Sequence, residues 1–354
     1  MKILIYTDVH WSTYSSIVRK RGDKYSVRLE NLIKCVNNAE MFARSQGCDE
    51  VVCLGDFFDR PELTSEEITA LTEVTWAPVP HRFIVGNHES NVNDLMYSST
   101  QSLHRNGVFE VIDKIKKIEL PEVDIYFLPY ILEEDRLTIS EYVKDSKDKN
   151  KPIVIFSHND IKGIRYGKFE SKEGFDIDDI ENNCNLFING HLHNCGFLND
   201  KDTILNLGNL TGQNFGENAF EYPHYICILD TDTLKLDFFE NIEALNFYKL
   251  VFSDTEDIHD VINTFGKLKK NAVLSIKCEE SLLDTVKKVI SNKSDIVDYR
   301  ISVYSNKVNI AEINNVSSSI NTQDHLQQFS DYILEKFDYS QIVAEELGYI
   351  RGGA

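Results

Sequence analysis

No stretch of this 354-residue chain approaches the eighteen or so consecutive apolar residues that a membrane span requires, so no contact with a bilayer is expected. The apolar run at its start is short, lacks a small-residue cleavage pattern and already contains Asp8 and His10, which reads as a core strand and not a signal peptide. Its seven cysteines form no Cys-x-x-Cys pair and are odd in number, as suits buried thiols in a reducing cytoplasm. Positive charge is also scarce. Lys and Arg number 37 against 57 Asp and Glu, a net charge of -20, whereas a bare nucleic-acid binder shows a basic face. No internal repeat or long low-complexity segment is evident.

What is present is a series of five polar motifs, each following a short apolar run. Asp8-Val9-His10 follows Ile3–Tyr6, and Gly55-Asp56-Phe57-Phe58-Asp59-Arg60 follows Val51–Leu54. Gly86-Asn87-His88-Glu89 follows Phe83–Val85, Ser157-His158 follows Ile153–Phe156, and Gly190-His191-Leu192-His193 follows Leu186–Ile188. The apolar runs read as buried strands, which places the motifs on strand-end loops that a rigid sheet can gather into one cleft. One such pair alone is a weak signal, because strand-end turns favour Gly, Asp and Asn anyway. Five in series are hard to explain by turn chemistry.

The residue types suit metal-assisted phosphate ester hydrolysis, in which a pair of divalent cations clamps the phosphoryl oxygens and activates water. A pair needs a shared ligand. A carboxylate can serve two ions with its two oxygens, and Asp56 is the natural choice. By contrast His81, His104, His224, His259 and His325 match no motif and read as surface or packing residues.

Over residues 1 to about 240 these motifs resemble the calcineurin-like metallophosphoesterases. Within them the likeness is to the SbcD-type DNA-repair nucleases, called meiotic recombination eleven in eukaryotes and also encoded by large phages. The resemblance implies a four-layer α-β-β-α sandwich with a smaller α/β capping domain and a C-terminal helical tail. It implies Asp8, His10, Asp56 and His193 on one metal and Asp56, Asn87, His158 and His191 on the other, the metal most often being Mn2+. His88 would protonate the leaving oxygen, and Asp59 would orient His88. DNA is then the substrate, cut exonucleolytically at duplex ends and endonucleolytically in single strands or hairpins. The partner would be an SbcC-like coiled-coil ATPase, joined by a homodimer of this chain in a heterotetramer. The location would be the cytoplasm, or the host cytoplasm for a phage-encoded chain.

The length exceeds a usual single domain, and 42% apolar residues suffice for a core. Residues 26 to 46 read as a helix with Leu29, Leu32, Ile33, Val36 and Ala39 on one face, and 64 to 76 as a second, capped by Thr64 and Ser65. After His193 the pattern turns strand-rich, through 204–207, 225–229 and 234–238. Residues 1–244 are thus expected as the catalytic domain. A capping domain is expected at 245–312, with strands at 247–252, 272–277 and 298–304 and helices at 256–268 and 280–291. Residues 313–323 read as a polar, serine-rich linker. Residues 324–354 carry Leu326, Phe329, Ile333 and Phe337 at helical spacing, an apolar stripe suited to a partner's coil.

Two basic runs soften the charge objection. Arg19, Lys20, Arg21, Lys24 and Arg28 follow the first motif, and Lys162, Arg165, Lys168 and Lys172 follow His158. Either a DNA contact or a solvated loop accounts for them. The main alternative function is a phosphatase or small-molecule phosphodiesterase of the same superfamily. Serine/threonine phosphatases spell the second and third motifs the same way, and Arg60 would then contact phosphate. A DNA-end-binding scaffold with a vestigial site is a third reading, opposed by the intact ligand set.

Overall fold

The structure is a computed structural model that describes residues 1–304 except 16, 19, 91–93, 106, 147–150, 167–168, 254 and 256. The expected linker and helical tail, with Leu326, Phe329, Ile333 and Phe337, lie outside the described residues, as do Arg19 and Lys168.

In chain order the elements are β1 (Lys2–Tyr6), α1 (Val27–Ser45), β2 (Glu50–Cys53), α2 (Ser65–Ala70), β3 (His81–Ile84), β4 (Phe109–Ile112), β5 (Lys116–Glu119) and β6 (Asp124–Leu128). There follow α3 (Ile139–Tyr142), β7 (Ile153–Ser157), β8 (Arg165–Tyr166), β9 (Phe169–Glu170), α4 (Ile177–Asn183), β10 (Leu186–Asn189), β11 (Gly196–Phe197) and β12 (Ile204–Asn206). The last are β13 (Tyr225–Asp230), β14 (Lys235–Glu240), β15 (Asn246–Phe252), α5 (Ile258–Gly266), β16 (Ala272–Glu279), α6 (Leu283–Ser291) and β17 (Ile296–Tyr304).

Two six-stranded sheets, β14-β13-β1-β2-β3-β4 and β11-β12-β10-β7-β6-β5, form the body of the fold. β1 explains why its run is apolar throughout: Ile3 and Ile5 face the second sheet, packed with Phe127, Val154, Phe156 and Ile188, while Leu4 and Tyr6 face α1. A central parallel strand is buried on both faces and so loses the apolar/polar alternation. Helix α1 starts where the Ser26 side chain accepts from the Leu29 amide, and it buries Leu29, Leu32, Val36 and Ala39 against the first sheet. On the outer side of the second sheet, Ile139 of α3 and Ile180 of α4 cover Tyr126, Ile155 and Phe187. The layers are therefore α-β-β-α. Each fully buried Leu, Ile or Phe contributes on the order of 1.5–3 kcal/mol relative to exposure, so these three contact layers supply most of the driving force.

Helix α2 is shorter than the sequence pattern predicts. Its capping box is present, with Thr64 and Glu67 bonding reciprocally, but the α-helix ends at Ala70 and one 3-10 turn, Leu71–Glu73, follows. Residues 74–80 include Val74, Thr75, Pro78 and Pro80, poor helix formers that release the chain toward β3.

Beyond β14 the chain builds a three-stranded sheet, β15-β16-β17, within the compact unit Met1–Val303. Helices α5 and α6 cover one face, where Val261, Phe265, Val286 and Ile290 meet Tyr248, Leu250, Phe252, Leu274 and Ile276. On the opposite face Phe247 and Val273 pack with Val18 and Phe215 of the larger body. All seven cysteines are unpaired and five are buried. Among the described residues no helix is long and apolar enough to cross a membrane.

Candidate metal centre

The five motifs occupy the loops leaving the C-terminal ends of β1, β2, β3, β7 and β10, which are parallel within each sheet. Ligand sites in open α/β folds form at such strand ends. Adjacent loops are laced together: the Asp8 amide donates to Gly55 O at 3.1 Å, that of His10 to Asp56 O at 2.9 Å, and that of Trp11 to Phe57 O at 2.8 Å. The lacing holds Asp8, His10 and Asp56 in the left-handed region, at φ of 50°, 49° and 47°, and His191, whose amide donates to Asp8 Oδ2 at 3.0 Å, is there too at 75°. Each costs on the order of 1–3 kcal/mol and persists only where the surroundings over-determine it, a pattern typical of functional sites. The glycines of two motifs permit close approach. A Cβ on Gly86 would collide with Asp56, and one on Gly55 with the His158 ring.

Three clusters of ligand atoms result, Asp8–His10–His193, His10–Asp56–His88 and Asp56–His158–His191, with all atoms in each within 4.8 Å of one another. Asp56 belongs to two of them: its Oδ2 lies 3.9 Å from His10 Nε2 and 3.1 Å from His158 Nε2. Asn87 Oδ1 sits 3.3 Å from His158 Nε2 and 3.0 Å from His191 Nδ1. Asp8 Oδ1 and His10 Nε2 are buried without a hydrogen-bond partner, a costly condition for polar atoms unless something else meets them. A divalent cation would. The mixture of carboxylate, imidazole and amide oxygen fits such ions. The structure thus brings together Asp8, His10, Asp56, Asn87, His158, His191 and His193.

Each of these histidines is also held from behind. Nδ1 of His10 lies 3.2 Å from Asp59 Oδ1, and Nδ1 of His158 donates to Leu54 O at 2.8 Å. Nε2 of His191 donates to Asp160 Oδ1 at 3.2 Å, and Nδ1 of His193 to Glu217 Oε1 at 2.8 Å. Such outer partners fix the tautomer and leave the other ring nitrogen for the ion. The electrostatics follow. Burial pushes the Asp56 carboxyl up, but His158, His10 and His88 outweigh it and hold Asp56 well below the usual carboxylate range. Burial pulls His158 down, yet Asp56 raises it to about 9. Burial and then the Asp56 charge push Glu89 up to about 7, against the Gly86 and Phe58 amides that donate to it at 2.8 and 3.0 Å.

His88 is exposed at the rim, its ring 4.8 Å from that of His10. The expected Asp59–His88 pairing is not what the structure contains. His88 Nδ1 faces the backbone oxygen of Asp59 at 3.3 Å, and the Asp59 carboxylate turns to His10. The loop geometry explains this: His10 and Asp59 lie on neighbouring laced loops, with the Asp59 amide bonded to Trp11 O at 3.4 Å. Asp160 and Glu217 were not singled out by sequence reasoning. Asp160 stands two residues beyond His158, and Glu217 directly follows a glycine-marked segment that runs from Gly208 to Gly216.

The basic residues are mostly neutralised. Lys20 pairs with Asp298 at 2.8 Å, Arg21 with Glu66, Lys24 with Glu73, and one Arg60 nitrogen meets both oxygens of Glu67 at 2.6 and 2.7 Å. Arg28 is not a surface contact at all. It is buried and donates to Gly212 O at 2.9 Å, and burial lowers its pKa to about 10. Lys162 is exposed, and Arg165 opens β8. His81, which matched no motif, is buried and bonded to Glu40 at 2.9 Å, and His224 is likewise a packing residue, its Nδ1 3.1 Å from Asn209 O.

The model of the calcineurin-like phosphoesterases matches residues 1–195, more than half of the 354-residue chain. Among solved structures the chain is similar to TT1561 of Thermus thermophilus, at 11% identity and a TM-score of 0.38 over 68% of this chain and 98% of that one. It is similar to a dimetal phosphatase from Danio rerio, at 14% identity and a TM-score of 0.38 over 64% and 91%. A third is wild-type Vps29 complexed with zinc from Entamoeba histolytica, at 11% identity and a TM-score of 0.27 over 68% and 99%. No curated protein matches the sequence.

Proposed function

Because the chain belongs to the calcineurin-like phosphoesterase family, which implies a hydrolase with a metal centre, we propose that it is a manganese-dependent DNA phosphodiesterase, the nuclease subunit of an SbcC-SbcD-like repair complex. The observation that carries the reading is the convergence of seven ligand side chains from five strand-end loops, with the exposed ring of His88 at their rim. Asp8, His10, Asp56 and His193 would hold one cation and Asp56, Asn87, His158 and His191 the other. Bound there, divalent cations supply Lewis acidity toward phosphoryl oxygens and toward attacking water. The chain's own part is to position and to move a proton. His88, exposed, bonded through its amide to Asp56 and through a long Nδ1 contact to Asp59 O, and edge-on to the His10 ring, can give a proton to a leaving oxygen. Asp59, Leu54 O, Asp160 and Glu217 keep the four ligand rings oriented.

Two features favour a polymer diester over a phosphomonoester. The three-stranded sheet is built against the loop that leaves His10, through Lys20 with Asp298 and Val18 with Phe247, which extends the surface beside the cleft. A cavity of about 600 Å³ adjoins His191 and His193, lined in part by Leu192, Leu198, Tyr222 and Asn194, a mixture suited to a nucleoside flanking the phosphate. In the phosphatase reading Arg60 contacts phosphate; here one of its nitrogens is held by both oxygens of Glu67. The ATPase partner and the dimer are proposed on the family likeness alone. The test is cleavage of end-labelled duplex and hairpin DNA with and without Mn2+, beside a small phosphodiester and a phosphomonoester. Activity on the monoester alone would select the phosphatase.

A further inference from the structure

We infer that Glu217 is a positioning residue for the metal centre, acting through His193; the inference rests on the dinuclear reading above. Glu217 is only 3% exposed, and it lies 24 residues beyond the ring it contacts. Its Oε1 accepts from His193 Nδ1 at 2.8 Å and Asn214 Nδ2 at 2.9 Å, its Oε2 from Asn209 Nδ2 at 2.8 Å and the Gln213 amide at 2.7 Å. Four donors fill the acceptor sites of an ionised carboxylate, so the site has no place for a donor hydrogen. His193 must therefore carry its proton on Nδ1, which frees Nε2 for the ion shared with Asp8 and His10.

The segment bearing Glu217 is itself anchored at three points. Arg28 of α1 donates to Gly212 O at 2.9 Å, the Gly212 amide donates to Leu245 O at 3.1 Å, and the Phe215 ring meets Phe247 of β15 edge-on at 5.2 Å. The segment from Asn209 to Glu217 is thus a strap that carries the seating of the small sheet to one metal ligand.

The full-length, metal-free protein should be titrated calorimetrically with Mn2+, and with Co2+ while its visible absorption is read. Glu217→Gln places an amide hydrogen against the donors and should weaken one of the two sites by roughly 10–100-fold, as loss of an outer partner does, and shift its Co2+ spectrum. Glu217→Asp keeps the charge and should weaken the same site less. Asn214→Ala removes one of the four donors but leaves the Glu217–His193 bond in place, and should weaken the same site less than Glu217→Gln. In a His193→Ala background Glu217→Gln should add nothing. Wild-type affinities and spectrum in both Glu217 variants, with only a lower melting temperature, would overturn the inference. Because binding is read without substrate, a chain that takes two cations but cuts no DNA refutes the nuclease reading and not this one.

Discussion

The Asp59 carboxylate lies 3.2 Å from Nδ1 of His10, while His88 Nδ1 reaches only the Asp59 backbone oxygen. Asp59 therefore acts on a metal ligand, and its loss should be felt in metal binding. Asp59→Asn is expected to weaken Mn2+ at the Asp8–His10–His193 site by roughly 10–100-fold in calorimetric titration. A variant with normal metal affinity and a turnover defect like that of His88→Ser would restore the sequence-based role.

His88 offers the opposite test. His88→Ser should keep two bound cations and lose about a hundred- to ten-thousand-fold in kcat on DNA, because only the proton donor is gone. The loss should be much smaller on a p-nitrophenyl diester, whose leaving group needs no proton. Asp56→Ala should empty at least one site, since Asp56 belongs to two ligand clusters. Metal analysis of the two variants side by side separates the roles.

These contrasts mark the boundary of what the chain reveals before it folds. The ligand loops were legible because each follows a strand buried on both faces, and helix α1 because Ser26 caps a regular apolar face. Partners made by tertiary return were not. The fate of Arg28 depends on its lying on the inner face of α1 beside Leu29, where it meets a segment 184 positions away. Glu217 and the true partner of Asp59 are visible only once the loops are laced. The two-residue strands β8, β9 and β11 carry too few residues for any period.

The basic run after the first motif leads to a charge experiment. Arg21 and Lys24 are held by Glu66 and Glu73, so their positive charge is largely cancelled in the free protein. Removing the acids with Glu66→Gln and Glu73→Gln should tighten DNA binding, most at low salt and progressively less as screening rises. Reversing Arg21 and Lys24 should weaken DNA cleavage yet spare a small phosphodiester. Equal loss on both substrates would assign the loop to folding.

Acid stability should depend on Asp124, at the start of β6 and away from the metal loops. It pairs with Lys117 at 2.9 Å and Lys151 at 2.7 Å and accepts from Ser146 at 2.7 Å. Burial pushes the carboxyl up, but these partners bring it down to about 2 from an ordinary 3.8. A depressed folded-state value stabilises above the unfolded pKa and is lost as pH falls through the folded one. The stability gap between wild type and Asp124→Asn should thus be full above about pH 4 and shrink by about 2 kcal/mol toward pH 2. Denaturant melts of both proteins across that window measure it, and a gap independent of pH would rule out the ion pairs as its source.

Residues 313–354, the expected linker and helical tail, lie beyond the five metal motifs and outside the described residues. Ending the chain at about residue 320 is expected to leave the melting temperature and the two-cation stoichiometry unchanged, along with hydrolysis of a small diester. If the stripe Leu326, Phe329, Ile333 and Phe337 lies along a partner's coil, the shortened chain should fail to co-purify with a co-expressed coiled-coil ATPase, and ATP should no longer alter its DNA cleavage. Asp331, Glu335 and Lys336 would stay in water beside that stripe. Insolubility, or a clearly lower melting temperature after truncation, would instead show that the stripe covers this chain's own core, and the ATPase partnership would lose its structural basis.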